Sequence, residues 1–207
     1  MNFATNIHFS KYENGLVPVA VQHAVSGKLL MLAFANEEAL EKTITTREAY
    51  FFSRSRNMLW KKGETSGNTL CIRAVRYDCD ADAILYLAIP KGSTCHTGEE
   101  SCFFEGETGE TSAEILFGLE RIIAERKASQ KSDSYVSELF KKGIRKIAQK
   151  VGEEAVETIL EAEMGTDEDF LNESADLLFH FLVLLSAKEK SIEDVLEVLR
   201  SRKKSEE

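Results

Sequence analysis

GETGETSAE, Gly106 to Glu114, is where the chain changes grammar. Its glycines and polar side chains suit a linker, read here as residues 106–111. Thr111 and Glu114 have the spacing of a helix N-cap and its acidic partner, and Thr166 with Asp169 and Ser191 with Asp194 repeat it. Everything beyond the linker therefore reads as helix, in four pieces near 112–130, 134–163, 168–187 and 192–203. Gly143 and Gly152 within the second piece mark a kink or a close helix contact. Before the linker the runs are short and β-rich. VPVAVQHAV and KLLMLAF flank Ser26-Gly27 as a hairpin, and Asn36 caps a helix whose first turn carries Glu37 and Glu38. AYFFSR, NTLCIRAVRYD and AILYLAIP read as further strands, separated by KKGETSGN. The expected fold is α+β in two domains: a β-rich domain with a short helix over residues 1–105, and an all-α bundle over 112–207.

A 43% hydrophobic content is enough to give each domain a core. The net charge of -9 is uneven: residues 1–105 hold 11 basic and 12 acidic side chains, residues 106–207 hold 15 and 23. No basic stripe runs through either half, so nucleic acid is not an expected partner. Arg200, Arg202, Lys203 and Lys204 read as a solvated tail. The N-terminus lacks the apolar stretch of a signal peptide, and the run Leu177 to Leu185, broken by His180, reads as too short to span a bilayer. The expected setting is the cytoplasm, with no membrane partner. All four cysteines fall between Cys71 and Cys102, and such clusters in a reducing compartment suit metal binding or catalysis better than disulfides. Cys71, inside TLCIRAV, reads as a small buried hydrophobe.

Cys79, Cys95 with His96, and Cys102 offer three thiols and an imidazole. Three sulfurs can hold Zn²⁺ and leave a fourth position open for water, the mark of a catalytic site; structural zinc or plain burial is the alternative. Cys95 and Cys102 are separated by six residues and Cys79 lies 16 positions before Cys95, so this is no ribbon with paired CxxC knuckles. Asp78, Asp80 and Asp82 alternate, and on a strand they would share one face, where oxygen ligands suit a hard cation such as Mg²⁺; an ordinary solvated turn is the alternative. Lys61 to Gly67, KKGETSG, has ammonium groups, hydroxyls and glycines that can cradle a phosphate, although such a loop is also an ordinary turn.

WKKGETSGN, DCDAD, CHTG and SCF, together with QHAVSGKLLMLAF and FFSRSRNMLW, resemble the phosphoribosyl-AMP cyclohydrolases over residues 15–105. The resemblance implies hydrolytic opening of the adenine ring at the N1–C6 bond. It implies Cys79, Cys95 and Cys102 as zinc ligands, Asp78, Asp80 and Asp82 as a magnesium site, and a homodimer whose zinc ligands come from both subunits. Trp60, Lys62, Gly63, Glu64, Ser66 and Gly67 are the candidate substrate contacts. Ser93, where proline is usual, and Ala35, where methionine is common, depart from the pattern without touching a ligand. The catalytic candidate is His96, since an imidazole moves protons well near neutral pH.

On the helices, Glu154 with Glu157 and Glu173 with Asp176 are i, i+3 pairs that a bundle can bring together around Mg²⁺ and substrate phosphates. A solvated acidic face is the plain alternative. Asp176 abuts LLFHFLVLL, expected to be largely buried, where an unpaired acid is costly. His180 reads as a satisfied core histidine rather than a ligand. LFKKGIRKIAQKVGEEAVETILEA and ESADLLFHFLVLL resemble the phosphoribosyl-ATP pyrophosphohydrolases over about residues 112–203. The resemblance implies cleavage of the α–β phosphoanhydride, with magnesium on Glu154, Glu157, Glu173 and Asp176. Glu153 is the candidate for orienting water, and Lys150 for neutralising phosphate.

The product of the second half is the substrate of the first. The whole chain thus resembles the bifunctional histidine-biosynthesis enzymes that convert phosphoribosyl-ATP to phosphoribosyl-AMP and then open the ring. The rival readings are a general nucleotide pyrophosphatase carrying a structural zinc module and a non-catalytic assembly protein.

Overall fold

A computed structural model of the chain describes residues 6–107, 109–129 and 134–204. It divides into two compact units, Met1–Glu114 and Ile115–Glu207. Thr108 of the expected linker, Gln130 at the expected end of the first helix, and residues 1–5 of the N-terminal segment lie outside the described residues.

The first unit is built on a four-stranded sheet in the order β2-β1-β6-β5. β1 (Val17–His23) and β2 (Leu29–Ala35) form the expected antiparallel hairpin, with Gly27 at φ 75° in its turn. β6 (Ile84–Pro90) lies parallel to β1 and antiparallel to β5 (Leu70–Tyr77). Alternation explains the orientation: Val17, Val19 and Val21 of β1 and Ile84, Tyr86 and Ala88 of β6 all point into one core, and their neighbours do not. Helix α1 (Glu37–Thr46) covers that core with Ala39, Leu40 and Thr43. Its N-terminus is capped by Asn36, whose side chain accepts from the Ala39 N–H. A small hairpin, β3 (Tyr50–Ser53) and β4 (Met58–Lys61), adds Phe51 and Trp60, ring centroids 5.1 Å apart. β4 escapes the sequence reading because four residues offer too little alternation to register as a strand.

Cys71 corrects an expectation. It occupies an outward position of β5 between buried Leu70 and Ile72 and is exposed, since the period of the strand decides its side.

The second unit holds five described helices: α2 (Ser112–Ser129), α3 (Tyr135–Lys142), α4 (Ile144–Met164), α5 (Asp167–Ala187) and α6 (Ile192–Lys204). All three N-terminal cap pairs form, with Thr111, Thr166 and Ser191 each exchanging bonds with its acidic partner. The expected helix over 134–163 is two helices, because Gly143 takes φ 82° and its N–H closes α3 on Leu139 and Phe140. Gly152 marks neither kink nor close contact: α4 runs through it, and a side chain there would meet open space. The basic C-terminal cluster is helix rather than tail, Arg200 bridging Glu193 and Glu197 on α6.

Ile123, Val136, Leu139, Ile147, Leu182, Val183 and Ile192 form the core of this unit. Helix α5 is far less buried than its composition suggests, contributing only His180, Leu182 and Val183 to the interior. It is also long and apolar enough by length and composition to cross a membrane, contrary to expectation, because one histidine does not offset so many leucines.

Candidate active sites

In the first unit the aspartates sit in the turn between β5 and β6, not on a strand. The Asp78 carboxylate accepts from the N–H groups of Asp82 (3.0 Å) and Ala83 (3.1 Å), and Ala81 takes the left-handed φ of 57°. This winding replaces strand alternation in gathering the acids: ligand oxygens of Asp78, Asp80 and Asp82 lie within 4.8 Å of one another. The Lys11 ammonium donates to Asp80 Oδ2 at 2.7 Å, the Asp80 carbonyl at 3.0 Å and Asp82 Oδ2 at 3.0 Å. The contact raises Lys11 to about 12 and holds the Asp80 carboxyl below its usual value.

Cys95 and Cys102 lie on the segment after β6. The Cys95 N–H donates to the Glu99 carbonyl, and Gly98, at φ 99°, closes the turn back onto the Cys95 carbonyl. Cys102 is tied to β2 through its N–H to the Leu30 carbonyl (2.8 Å), helped by the Ser101 hydroxyl on the Leu29 carbonyl (2.7 Å). The Thr97 hydroxyl donates to the Cys95 sulfur at 3.1 Å and is the main reason that thiol is pulled down. Burial pushes Cys102 up, with repulsion from Cys95 adding to it and Lys62 acting in the opposite direction. The WKKGETSGN loop reaches this segment through Asn68, which is bonded to Ser93 two residues before Cys95. His96 is exposed, its Nδ1 3.8 Å from the Cys95 sulfur.

Glycine is required in that loop. A Cβ on Gly63 would stand 2.4 Å from the Asn68 carbonyl carbon, and one on Gly92 2.5 Å from Asn68 Oδ1. Asn68 Nδ2 donates to Ser93 Oγ at 3.0 Å, a tether for which a proline at that position has no acceptor. Glu64, Ser66 and Gly67 are exposed, while Trp60 is half-buried against Phe51. Cys79 is exposed, 4.0 Å from Asp80 Oδ1, and among the described residues it forms no close three-ligand group with Cys95 and Cys102 within one chain.

In the second unit, α4 and α5 bring ligand oxygens of Glu154, Glu157 and Glu173 within 4.8 Å of one another. Glu154 is buried; Lys150, one turn earlier, donates to it at 2.6 Å and to Glu153 at 3.2 Å. Lys150 holds the carboxyls of Glu153 and Glu154 low and is itself raised. Glu173 is pushed up by desolvation and then by Glu157, Glu154, Asp176 and Glu161, a crowding of like charge that a cation would relieve. Asp176 is exposed rather than buried and, among the described residues, stands outside the close trio.

His180 is a satisfied buried histidine. Its Nδ1 lies 2.9 Å from the Asp176 carbonyl, which can only accept, so Nδ1 carries the proton. Nε2 pairs with the Tyr135 hydroxyl at 2.8 Å, and Glu154 Oε1 stands 3.6 Å from Nδ1. Sequence reasoning misses Lys11, Tyr135, Asn68 and Ser93 as parts of these sites. Their partners lie far along the chain, and only Glu161, at i+4 from Glu157, had a helical spacing that pointed to it.

Comparison with known proteins bears on both sites. The family model for phosphoribosyl-AMP cyclohydrolase matches residues 31–104. That for phosphoribosyl-ATP pyrophosphohydrolase matches residues 116–203. The chain is 48% identical over 205 residues to the histidine biosynthesis bifunctional protein HisIE of Bacillus subtilis, covering 98% of this chain and 97% of the relative. It is 48% identical to the protein of that name from Escherichia coli strain K12, with 91% and 92% covered. For the Bacteroides thetaiotaomicron protein the identity is 47%, with 93% and 94% covered.

Proposed function

Because the chain belongs to the family of histidine biosynthesis bifunctional proteins, we propose that each of its two sites holds its own divalent cation and performs one of two consecutive hydrolyses. The chain is a hydrolase with phosphoribosyl-ATP pyrophosphohydrolase and phosphoribosyl-AMP cyclohydrolase activities, carried by the second and first halves respectively.

In the helical half, magnesium on Glu154, Glu157 and Glu173, with Asp176 at the rim, supplies charge neutralisation for the substrate's phosphates. The donor set fits it: all oxygen, crowded, with Lys150 as the close cationic partner. Glu153, kept ionised by Lys150 and Gln149, accepts a hydrogen bond from the attacking water and orients it. The water oxygen bonds to the α-phosphorus, the bond from that phosphorus to the bridging oxygen breaks, pyrophosphate leaves with that oxygen, and the proton of water passes to Glu153 and then to solvent. Lys150 offsets charge on the phosphates.

In the β-rich half, Cys95 and Cys102 of one chain with Cys79 of a second copy would hold zinc, which would supply a Lewis acid to acidify water. Asp78, Asp80 and Asp82 offer oxygen ligands that suit magnesium. Lys62 and the backbone of Gly63, Ser66 and Gly67 receive the phosphate, with Glu64 at the loop's rim and Trp60 anchoring its start. His96, beside Cys95, carries the proton from water to N1 as oxygen adds to C6 and the N1–C6 bond breaks. The exocyclic nitrogen stays on C6 as a carboxamide.

The observation that carries the reading is the segment of Cys95 and Cys102, tied to β2 at Leu30 and to the glycine-built loop through Asn68 and Ser93, while Cys79 joins no close three-ligand group with them among the described residues. A homodimer completes such a site. Exposed Val156, Ile159 and Leu160 of α4 and Leu171 of α5 give the helical half an apolar surface for a second copy as well. The same pairing accounts for the exposed length of α5 without a membrane, and the free clustered thiols fit the cytoplasm. No nucleic acid is assigned as a partner.

The test is complementation. Cys79→Ala and Cys95→Ala chains are each expected to lack ring-opening activity, and co-refolded mixtures to regain about a quarter of the wild-type value, since half the dimers then hold one intact site. Mixtures as inactive as their components would contradict a zinc site shared between chains.

A further inference from the structure

Tyr135 opens helix α3 with 51% of its surface exposed. An exposed tyrosine ordinarily has freedom at both side-chain torsions; this one has little. Its hydroxyl pairs with Nε2 of the buried His180 at 2.8 Å, while Nδ1 of that ring donates to the Asp176 carbonyl. Its ring stacks on Phe179, with centroids 6.3 Å apart and planes inclined by 24°, and meets the His180 ring edge-on at 5.8 Å. Residues of α3 and α5 thus fix an aromatic ring that solvent still reaches.

The position of the hydroxyl end matters as much. His180, to which that hydroxyl is bonded, stands 3.6 Å from Glu154 Oε1, which puts Tyr135 one side chain away from the carboxylate cluster. A rigid, half-exposed ring beside a phosphate-binding centre is the arrangement that receives a flat aromatic base, since stacking needs a π-face, a fixed orientation and little lost entropy. No other aromatic side chain among the described residues hydrogen-bonds to the buried histidine of this cluster.

We propose that Tyr135 is the platform on which the adenine of phosphoribosyl-ATP stacks while its phosphates face Lys150 and the glutamates, with His180 acting as a positioning residue that holds the platform in place. The inference rests on reading the helical half as the phosphoribosyl-ATP site, and it adds the base-recognition element that reading lacks. Base stacking that persists from ground state to transition state raises KM when lost and leaves kcat nearly untouched.

The experiment uses the full-length chain with Y135L, Y135F and Y135W. Y135L is expected to raise KM for phosphoribosyl-ATP about tenfold or more, with kcat changed less than about threefold. Inhibition by inorganic tripolyphosphate, which has the charges but no base, should be unchanged. Y135F and Y135W, which keep a π-face but lose the bond to His180, should raise KM by less than Y135L, and the added indole emission of Y135W should be quenched by phosphoribosyl-ATP in the presence of Ca²⁺ but not by tripolyphosphate. An unchanged KM in Y135L, or parallel losses for substrate and tripolyphosphate, would overturn the platform while leaving the site's assignment standing. A wild-type chain that releases no pyrophosphate from phosphoribosyl-ATP would overturn both. If Y135L does not fold, Y135W decides: equal emission changes with and without the base would contradict the proposal.

Discussion

Lys11 shows what a single residue can do at a site it does not belong to in sequence. Its ammonium sits among the oxygens of Asp80 and Asp82, separated from them by 69 and 71 positions. If those acids take a divalent ion, that ion must displace the lysine. Replacement of Lys11 by Met is therefore expected to tighten Mn²⁺ binding at the trio by about tenfold, read from the electron-paramagnetic signal of free Mn²⁺. Equal binding by wild type, Lys11→Met and Asp80→Asn would show that the ion binds elsewhere. Glu154 makes the opposite case, a buried acid whose 2.6 Å partner is Lys150. Glu154→Gln should lower pyrophosphate release by about a hundredfold or more and leave ring opening intact, measured on the two substrates separately. Cysteines and carboxylates were legible in the sequence because their chemistry is intrinsic to the side chain. Tyr135 and Lys11 gain their meaning from partners on other elements, and nothing local announces them, whereas His180 was legible as a core histidine but not as the partner of Tyr135.

Elements were most legible where the chain carries its own stop and start signals. Asn36 before α1 and Thr166 before α5 cap as their spacing foretells, since a side-chain oxygen there meets N–H groups that have no other partner. Asn36→Ala should cost about 1 kcal/mol of stability in the β-rich half, checked by urea unfolding. The Thr166–Asp169 box adds a pH dependence. Hydrogen bonds from Thr166 hold the Asp169 carboxyl below its unfolded value of about 3.9, so its contribution is complete above that pH. It is lost as pH falls through the depressed folded value. Acid titration of the Asp169→Asn variant, followed by circular dichroism, should show a shallower loss of stability below about pH 4 than wild type. Two elements were misread for physical reasons. Residues 134–163 carry helical periodicity throughout, and only the φ of 82° at Gly143 breaks it. Gly143→Ala, forced into that region, should destabilise the helical half by about 1 kcal/mol or more. The aspartates alternate like strand residues yet lie in a turn, because the Asp78 side chain outcompetes strand pairing for the N–H groups of Asp82 and Ala83.

On the scale of the whole molecule, the change of pattern at residues 106–114 was legible because strand and helix periods differ so plainly on its two sides. Less legible was which apolar positions stay outside the core. Val156, Ile159 and Leu160 repeat at helical spacing on α4 as core residues do, yet they are exposed. In the proposed function two chemically separate sites, one sulfur and one carboxylate, run consecutive reactions in one chain. The most direct measurement supplies phosphoribosyl-ATP with Mg²⁺ and Zn²⁺ to wild type, Cys102→Ala and Glu154→Gln, and follows pyrophosphate and the ultraviolet change of ring opening together. Wild type should give both signals, Cys102→Ala pyrophosphate alone with phosphoribosyl-AMP accumulating, and Glu154→Gln neither until phosphoribosyl-AMP is added, when ring opening returns in full. Loss of pyrophosphate release in Cys102→Ala, or failure of added phosphoribosyl-AMP to restore ring opening in Glu154→Gln, would contradict it.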